Sequence, residues 1–209
     1  MVVYVFLIVV LYLVYFLPNT LLDFLLGNQD VVYQNKDGAI TFTFDDSPSD
    51  HTNNILDCLQ DYNIKAIFFV LSDKIQGKEH VLDRIIKEGH QIGNHGTKDR
   101  IHVLQSAQDF ETDLLECEAK LERWGRPNYF RPGFGFFNSA MLSILQRHGY
   151  TLMLGNVFPY DIHIRFPTVN AWYIRRKLNK GSIIVLHERE WTVATLRKVF
   201  DGVNKQLVP

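Results

Sequence analysis

Short apolar runs alternate with helical patterns from residue 39 to residue 203, and this alternation constrains the fold more than any other feature of the sequence. Alternation of this kind predicts parallel strands joined by right-handed helical crossovers, and therefore an α/β fold. The strand-like runs are residues 39–44, 65–71, 90–93, 129–131, 150–154 and 182–186, and the helical segments are residues 55–62, 81–87, 106–124, 138–149, 169–180 and 192–203.

Polar residues follow most of these runs at the point where each predicted strand ends. Ligands of α/β folds bind at the carboxyl ends of the strands, so residues at those positions are expected to meet at one rim. They are Asp45, Asp46, His95, Asp99, Arg131, Asp161 and His187. The set combines carboxylates and imidazoles, which bind metal ions and move protons in proteins.

Asp45 and Asp46 are adjacent at the end of the first run, which reads Ile-Thr-Phe-Thr-Phe-Asp-Asp-Ser-Pro at residues 40–48. Successive strand side chains point to opposite faces, so the two carboxylates share a site only where the strand ends and the backbone bends. One can then bind a cation while the other takes a proton from a water molecule on that cation. Asp46, His95 and Asp99 are the candidate metal ligands, since the last two are four residues apart and meet on one face of a helical turn.

Two further residues complete an acid–base arrangement around Asp45. The unperturbed pKa of histidine lies near neutrality, which suits His187 as an acid that protonates a leaving group. A guanidinium such as that of Arg131 would keep a neighbouring carboxylate ionised and oriented. The residues therefore indicate hydrolysis assisted by a metal ion.

Four short motifs occur in the order Thr43-Phe44-Asp45-Asp46, Asn94-His95, Arg131-Pro132-Gly133-Phe134-Gly135 and Val185-Leu186-His187. Together they resemble the motifs of the NodB-type polysaccharide deacetylases, carbohydrate esterase family 4, which include chitin deacetylases. The resemblance extends from residue 39 to residue 199. It implies a deformed (β/α) barrel with a divalent metal ion, usually zinc, with cobalt or another divalent ion as alternatives. The implied activity is removal of acetyl groups from N-acetylglucosamine polymers.

The resemblance also implies a role for each matching residue. Asp45 matches the catalytic base, Asp46 the metal-binding aspartate and His95 the first histidine ligand. Arg131 matches the arginine that orients the base, and His187 matches the general acid.

The remaining assignments concern a further family motif and the substrate. That motif has an Asp and a Trp after a strand, and Tyr160-Asp161 is its nearest match, without the Trp. Its carboxylate would orient the acid histidine and raise its pKa. The candidates for an acetyl pocket and a sugar-binding surface are Phe134, Gly135, Leu186, Trp172 and Trp191.

Three positions depart from the family pattern. Asp99 replaces the second histidine ligand, with His102 three residues further on, and we favour Asp99 because a carboxylate also binds zinc. Ser47 stands where the family usually has Gly, and serine would be strained there if the position needs a positive φ. The last predicted helix is soon followed by Pro209, so an open barrel edge is expected.

Residues 1–17 carry no charged side chain, and Pro18 ends this apolar run. A cleaved signal peptide needs a positive n-region and a small-x-small cleavage site, so their absence favours a signal-anchor over a cleaved signal or a buried helix. We predict a signal-anchor or signal segment at 1–18, a linker at 19–38 and the deacetylase domain at 39–209. The protein is expected to be membrane-anchored in the secretory pathway or at the cell surface, and secreted if the segment is cleaved.

Charge and cysteine content exclude some classes of protein. Twenty-two Lys and Arg against 23 Asp and Glu give a net charge of −1 without a long basic run, which argues against a nucleic-acid partner. Cys58 and Cys117 are too few for a disulfide framework, and their helical positions predict buried thiols, with a bridge between them left open.

These observations predict a metal-dependent hydrolase that removes N-acetyl groups from a chitin-like glycan. Its partners would be that glycan and, through residues 1–18, a membrane. One alternative is a catalytically inactive, membrane-tethered glycan-binding protein on the same fold, which Asp99 and Ser47 favour. Another is a small-amide amidohydrolase, which would need neither an exposed aromatic groove nor a membrane anchor.

Overall fold

The computed structural model describes residues 31–203, and the predicted N-terminal hydrophobic helix lies outside them. No helix within this range is long and apolar enough to span a membrane. The strands are β1 (Val31–Val32), β2 (Thr41–Ser47), β3 (Ala66–Val70), β4 (Gln91–Asn94), β5 (Tyr129–Phe130), β6 (Thr151–Met153) and β7 (Ile183–His187). The α-helices are α1 (Thr52–Asp61), α2 (Glu79–Lys87), α3 (Ala107–Leu121), α4 (Ser139–Arg147), α5 (Pro167–Lys177) and α6 (Thr192–Gly202).

The strands form one parallel sheet in the order β1-β6-β5-β4-β3-β2-β7. The α/β fold predicted from the alternation is therefore confirmed. Its two edges approach each other, because Gln34 after β1 forms an antiparallel bridge with Ser182 before β7. Val157, which follows β6, bridges Ile184 and accepts a hydrogen bond from the Val185 N–H at 2.9 Å. The edge of β7 is thus partly covered.

Strand β2 shows how alternating side chains divide the core. Phe42 and Phe44 pack in the largest buried cluster, together with apolar residues of the surrounding helices. Thr43 and Asp45 point to the opposite face, where both contact Arg131. On the barrel side a small apolar cluster contains Ile67, Phe69, Met153 and Ile183. The polar residues of β2 therefore lie beside an apolar barrel interior.

The end of β2 differs from the prediction. The strand continues to Ser47 instead of ending at residue 44, since Asp45 is in register with His187 and Ser47 with Val70. The polar side chains had suggested a turn, but pairing on both sides keeps this segment extended. The two aspartates are consequently part of the sheet.

Several other bounds also differ from the prediction. β1 lies within the predicted linker 19–38 and pairs with β6. Helix α5 ends at Lys177 rather than at residue 180, because Leu178 has an extended ψ of 124°.

Both cysteines are free and buried, as predicted. Cys58 and Cys117 lie in the large core cluster. Burial raises the pKa of Cys58 to about 11 and that of Cys117 to about 12, so neither thiol is a ready nucleophile.

Candidate active site

Asp45 and Arg131 form a buried ion pair at the carboxyl ends of β2 and β5. Nη1 of Arg131 donates to Oδ1 of Asp45 and to the hydroxyl of Thr43, both at 2.7 Å, while Nε donates to the Met153 carbonyl at 3.1 Å. The guanidinium lies 4.0 Å from the centroid of the Phe69 ring. The two residues are only 5% and 3% exposed. Arg131 thus fixes one oxygen of Asp45 and leaves Oδ2 to accept a proton.

His187 stands beside Asp45, since the two are register partners in neighbouring parallel strands. Nδ1 of His187 is 2.9 Å from Oδ1 of Asp161, and its backbone N–H donates to Oδ2 of Asp161 at 2.8 Å. Burial lowers the pKa of His187, but the hydrogen bond and charge of Asp161, with the charges of Asp45 and Asp46, raise it overall. A raised pKa favours the protonated imidazole, the form that a general acid requires.

The backbone bends at Asp46, which has a φ of 69°. The register between β2 and β3 also shifts between Phe44 and Ser47. This left-handed conformation takes Asp46 out of the alternation of the strand, so both aspartates lie at the same rim. Nη2 of Arg189 donates to Oδ2 of Asp46 at 2.8 Å, and Nζ of Lys74 donates to its main-chain carbonyl at 3.0 Å.

The pKa of Asp46 lies below its ordinary value although the carboxylate is buried. Burial raises the pKa, and the charges of Lys74, His95 and His187, with the hydrogen bond from Arg189, lower it by more. Asp46 is therefore an anion whose charge is already balanced by cationic groups of the protein.

Ser47 escapes the strain expected of it, because the positive φ falls on Asp46 instead. The hydroxyl of Ser47 donates to Oε1 of Glu188 at 2.5 Å, and the hydroxyl of Thr52 donates to Oε2 at 2.5 Å. Burial raises the pKa of Glu188, although the hydrogen bonds from both hydroxyls oppose that rise. This buried carboxyl group ties together the ends of β2 and β7 and the start of α1.

His95 has a fixed ring orientation next to these groups. Its Nδ1 is 2.7 Å from the carbonyl oxygen of Arg131, and a carbonyl only accepts, so Nδ1 carries the proton and Nε2 is an acceptor. Burial lowers the pKa of His95, although Asp45 and the Arg131 carbonyl oppose that change. The neutral imidazole is the form that binds a metal ion.

Neither Asp99 nor His102 completes a metal site with Asp46 and His95, the predicted ligands that precede them in the sequence. Asp99 is exposed on a segment of bends, so the helical turn that would bring it to His95 does not form. His102 is buried, with Nδ1 accepting from the Gly133 N–H at 2.9 Å and Nε2 3.4 Å from Oδ2 of Asp113. His102 therefore supports the loop after β5.

The described side chains do not fit the predicted three-ligand zinc site. Residues 31–203 contain no group of three or more His, Cys, Asp or Glu side chains placed to hold a metal ion. Asp46 and His95 are near each other, but Arg189 occupies Oδ2 of Asp46. A zinc site with an open position for water normally has three protein ligands, and here the third is missing from this part of the chain.

Two of the predicted substrate residues lie on the loop that follows Arg131. Phe134 is 65% exposed and has a φ of 60°, and Gly135 has a φ of 73°. Phe136, which the sequence did not single out, is 61% exposed. Two aromatic rings are thus presented to solvent on the loop that follows Arg131.

The other three predicted substrate residues do not lie on the loop that follows Arg131. Trp191 is half-buried, and its Nε1–H donates to the carbonyl of Asp161 at 3.0 Å. Trp172 is 46% exposed on α5, with the guanidinium of Arg176 5.9 Å from its ring centroid. Leu186 is fully buried in the large core cluster, because it alternates with His187 along β7 and faces the helices. Leu186 therefore has no surface to offer an acetyl group.

The sequence reasoning missed Arg189 and Glu188, which follow His187 directly. Both are polar residues just after an apolar strand, and that signal had identified the other members of the site. Neither residue matches a position of the four motifs.

The sequence model of the family described as "Polysaccharide deacetylase" matches residues 33–153. The chain belongs to the polysaccharide deacetylase family. The matched range contains the motifs with Asp45, His95 and Arg131, while Asp161 and His187 lie beyond it. The family predicted from the four motifs is confirmed.

Relatives of this polysaccharide deacetylase include enzymes named for two polymers. The chain is 30% identical over 181 residues to a peptidoglycan-N-acetylglucosamine deacetylase of Bacillus cereus, covering 82% of this chain and 84% of that protein. It is 32% identical over 163 residues to a chitin deacetylase of Pestalotiopsis sp., covering 72% of this chain and 53% of that protein. The solved structure of the peptidoglycan deacetylase PdaC from Bacillus subtilis aligns with a TM-score of 0.75 at 26% identity, covering 83% of this chain and 85% of that one.

Proposed function

We propose that this polysaccharide deacetylase family member removes N-acetyl groups from a glycan that contains N-acetylglucosamine. The observation that supports the proposal most directly is the register pairing of Asp45 with His187. Paired residues of neighbouring strands are about 4.8 Å apart, so a carboxylate and an imidazole both reach one bound amide. The names of two relatives, an N-acetylglucosamine deacetylase of peptidoglycan and a chitin deacetylase, support the substrate class.

Amide hydrolysis needs a base for the attacking water and an acid for the departing amine. Oδ2 of Asp45 takes a proton from water as the water oxygen bonds to the acetyl carbon. The C–N bond then breaks while Nε2 of His187 gives its proton to the amine nitrogen, which yields acetate and a free amine. Proton exchange with solvent restores both groups. Arg131 positions the base, and Asp161 positions the acid.

These steps assign nothing to a metal ion, because the described side chains do not fit the three-ligand site. The resemblance to the family implies a divalent ion, usually zinc, held by Asp46 and His95.

Exposed aromatic rings support a polymeric substrate. Phe134 and Phe136 are more than half exposed on the loop that follows Arg131, and aromatic faces can stack on sugar rings. A glycan of this kind is found outside cells, in agreement with the signal-anchor or signal segment proposed at residues 1–18.

The full chain is expected to release acetate from N-acetylglucosamine oligomers and from peptidoglycan strands. The matched control is the same oligomer with its acetyl groups removed chemically, which offers the same sugars without the scissile amide. Acetate from the N-acetylglucosamine monomer alone would favour the small-amide amidohydrolase. Binding of the oligomers without acetate release would favour the inactive glycan-binding protein and contradict the proposed hydrolysis.

Asp161→Asn is expected to move the alkaline limb of the pH profile of kcat/KM to lower pH. His187 acts as the acid only when protonated, so activity falls as the pH rises through its pKa. Burial lowers that pKa, Asp161 raises it, and Asp45 and Asp46 add to the rise. Removing the charge of Asp161 should therefore shift the limb down by about one pH unit.

The control for this profile is Glu190→Gln, which neutralises an exposed carboxylate three residues after His187. Its alkaline limb should match that of the wild type. An unmoved limb in Asp161→Asn would show that a group other than His187 limits activity at high pH.

A further inference from the structure

Asp46 already has a cationic partner at the place where the family resemblance implies a divalent metal ion. Nη2 of Arg189 donates to its Oδ2 at 2.8 Å. The Asp46 side chain is 9% exposed and that of Arg189 is 33% exposed, so the pair joins a nearly buried carboxylate to a partly exposed guanidinium. Lys74 adds a second positive charge through its hydrogen bond to the Asp46 carbonyl at 3.0 Å.

Arg189 is held in this position by contacts of its own. Its backbone N–H donates to the Thr192 hydroxyl at 3.0 Å, and its Nη1 donates to the carbonyl of Glu188 at 3.2 Å. The carboxylate of Glu188 is in turn fixed by Ser47 and Thr52. The ion pair with Asp46 is therefore built into the end of β7.

A divalent ion would meet two obstacles at this site. It would have to displace a guanidinium from Oδ2 of Asp46 or lie beside a positive charge in a poorly hydrated place. It would also find no third ligand, since Asp99 is exposed and residues 31–203 provide no cluster of three metal-binding side chains.

We propose that Arg189 takes the place of the divalent metal ion, so that acetyl groups are hydrolysed here without a metal. A guanidinium has five N–H donors, and its remaining donors are available to the oxyanion that forms when water attacks the acetyl carbon. The electron pair of that oxyanion re-forms the C=O bond as the C–N bond breaks, and His187 gives a proton to the departing nitrogen, so Arg189 gives up no proton. The reaction part of this inference rests on the proposed function, whereas its metal-binding part needs no substrate.

Zinc binding tests the proposal directly on the full chain. The purified wild type, dialysed against zinc and analysed by mass spectrometry and calorimetry, is expected to hold no stoichiometric zinc. Arg189→Gln should bind zinc at least about tenfold more tightly, because the repulsion at Oδ2 of Asp46 is gone. Adding Asp46→Asn to that variant should abolish the gain, which locates the ion.

Two controls separate charge from a general effect of substitution. Arg123→Gln removes an exposed arginine that pairs with Asp83 at 2.9 Å, and should bind zinc as the wild type does. Arg189→Lys keeps the charge and should also remain without zinc. Stoichiometric zinc in the wild type, or equal zinc affinity in the wild type and Arg189→Gln, would overturn the proposal. The zinc content of the wild type tests the proposal even if a variant fails to fold.

Acetate release distinguishes this proposal from the proposed function. A chelator should leave the wild-type rate unchanged, and Arg189→Gln should lower it by about 10²-fold or more when zinc is withheld. Acetate release that the chelator stops would overturn the metal-free reaction and leave the deacetylase function standing. No acetate release, with zinc bound only after removal of Arg189, would refute the function and still support the pairing of Arg189 with Asp46.

Discussion

Asp45→Asn is expected to lower kcat/KM for acetate release by about 10²- to 10⁴-fold, the usual contribution of a positioned general base. In the native protein Nη1 of Arg131 donates to Oδ1 of Asp45 at 2.7 Å. The amide oxygen of asparagine can still accept this hydrogen bond. An amide cannot take a proton from water, so the substitution removes the chemical step and keeps the geometry. The measurement is the initial rate of acetate release from N-acetylglucosamine oligomers.

The matched control for this variant is Asp83→Asn. Asp83 also pairs with an arginine, Arg123, at 2.9 Å, but its side chain is half exposed on α2. The rate of acetate release by Asp83→Asn should equal that of the wild type, since the Asp83–Arg123 pair lies on the surface. A folded Asp45→Asn protein that hydrolyses the oligomers at the native rate would remove Asp45 from the mechanism.

The relation between Asp45 and His187 could be predicted from the sequence because it depends on strand order and alternation. Polar residues at the ends of parallel strands meet at one edge of the sheet, wherever they occur along the chain. Arg131 also fits this rule, since it follows β5 directly. These contacts follow from the period of two and from parallel pairing, which local sequence patterns encode well.

Asp99 could not be placed in the same way, because its position depends on a loop. The spacing of four residues from His95 predicts proximity only if the backbone turns helically. Instead Gly96 takes a φ of 87°, and a Cβ there would come within 2.6 Å of both Nε2 of His102 and Oδ2 of Asp113. The loop is therefore packed around His102, a long-range arrangement that sequence spacing does not reveal.

The contact between Arg189 and Asp46 also could not be predicted from the sequence. The sequence indicates the bend at the two aspartates and shows a polar residue after β7. The carboxylate that this long side chain reaches depends on tertiary packing, which no local pattern encodes. Strand β1 was missed for another reason, because two paired residues are too few to show a periodic pattern.

Arg131→Met is expected to lower the free energy of unfolding by about 3–5 kcal/mol, because removal of one partner leaves the other charge buried and unpaired. Asp45 is 5% exposed and would lose its cation. Thr43 and the Met153 carbonyl would each lose a donor as well. Methionine suits the apolar surroundings, which include Phe69, so the loss should reflect polar groups more than a cavity. Urea unfolding monitored by circular dichroism measures the change.

A double-mutant cycle shows whether this loss arises from the buried pair. Adding Asp45→Asn to Arg131→Met should recover part of the stability, because the unpaired carboxylate becomes a neutral amide. The corresponding cycle on the exposed Asp83–Arg123 pair should show little coupling, since solvent screens both groups. Additive losses in the Asp45–Arg131 cycle would mean that the two side chains contribute independently. Arg131 would then stabilise the fold through Thr43 and Met153 rather than by holding the base.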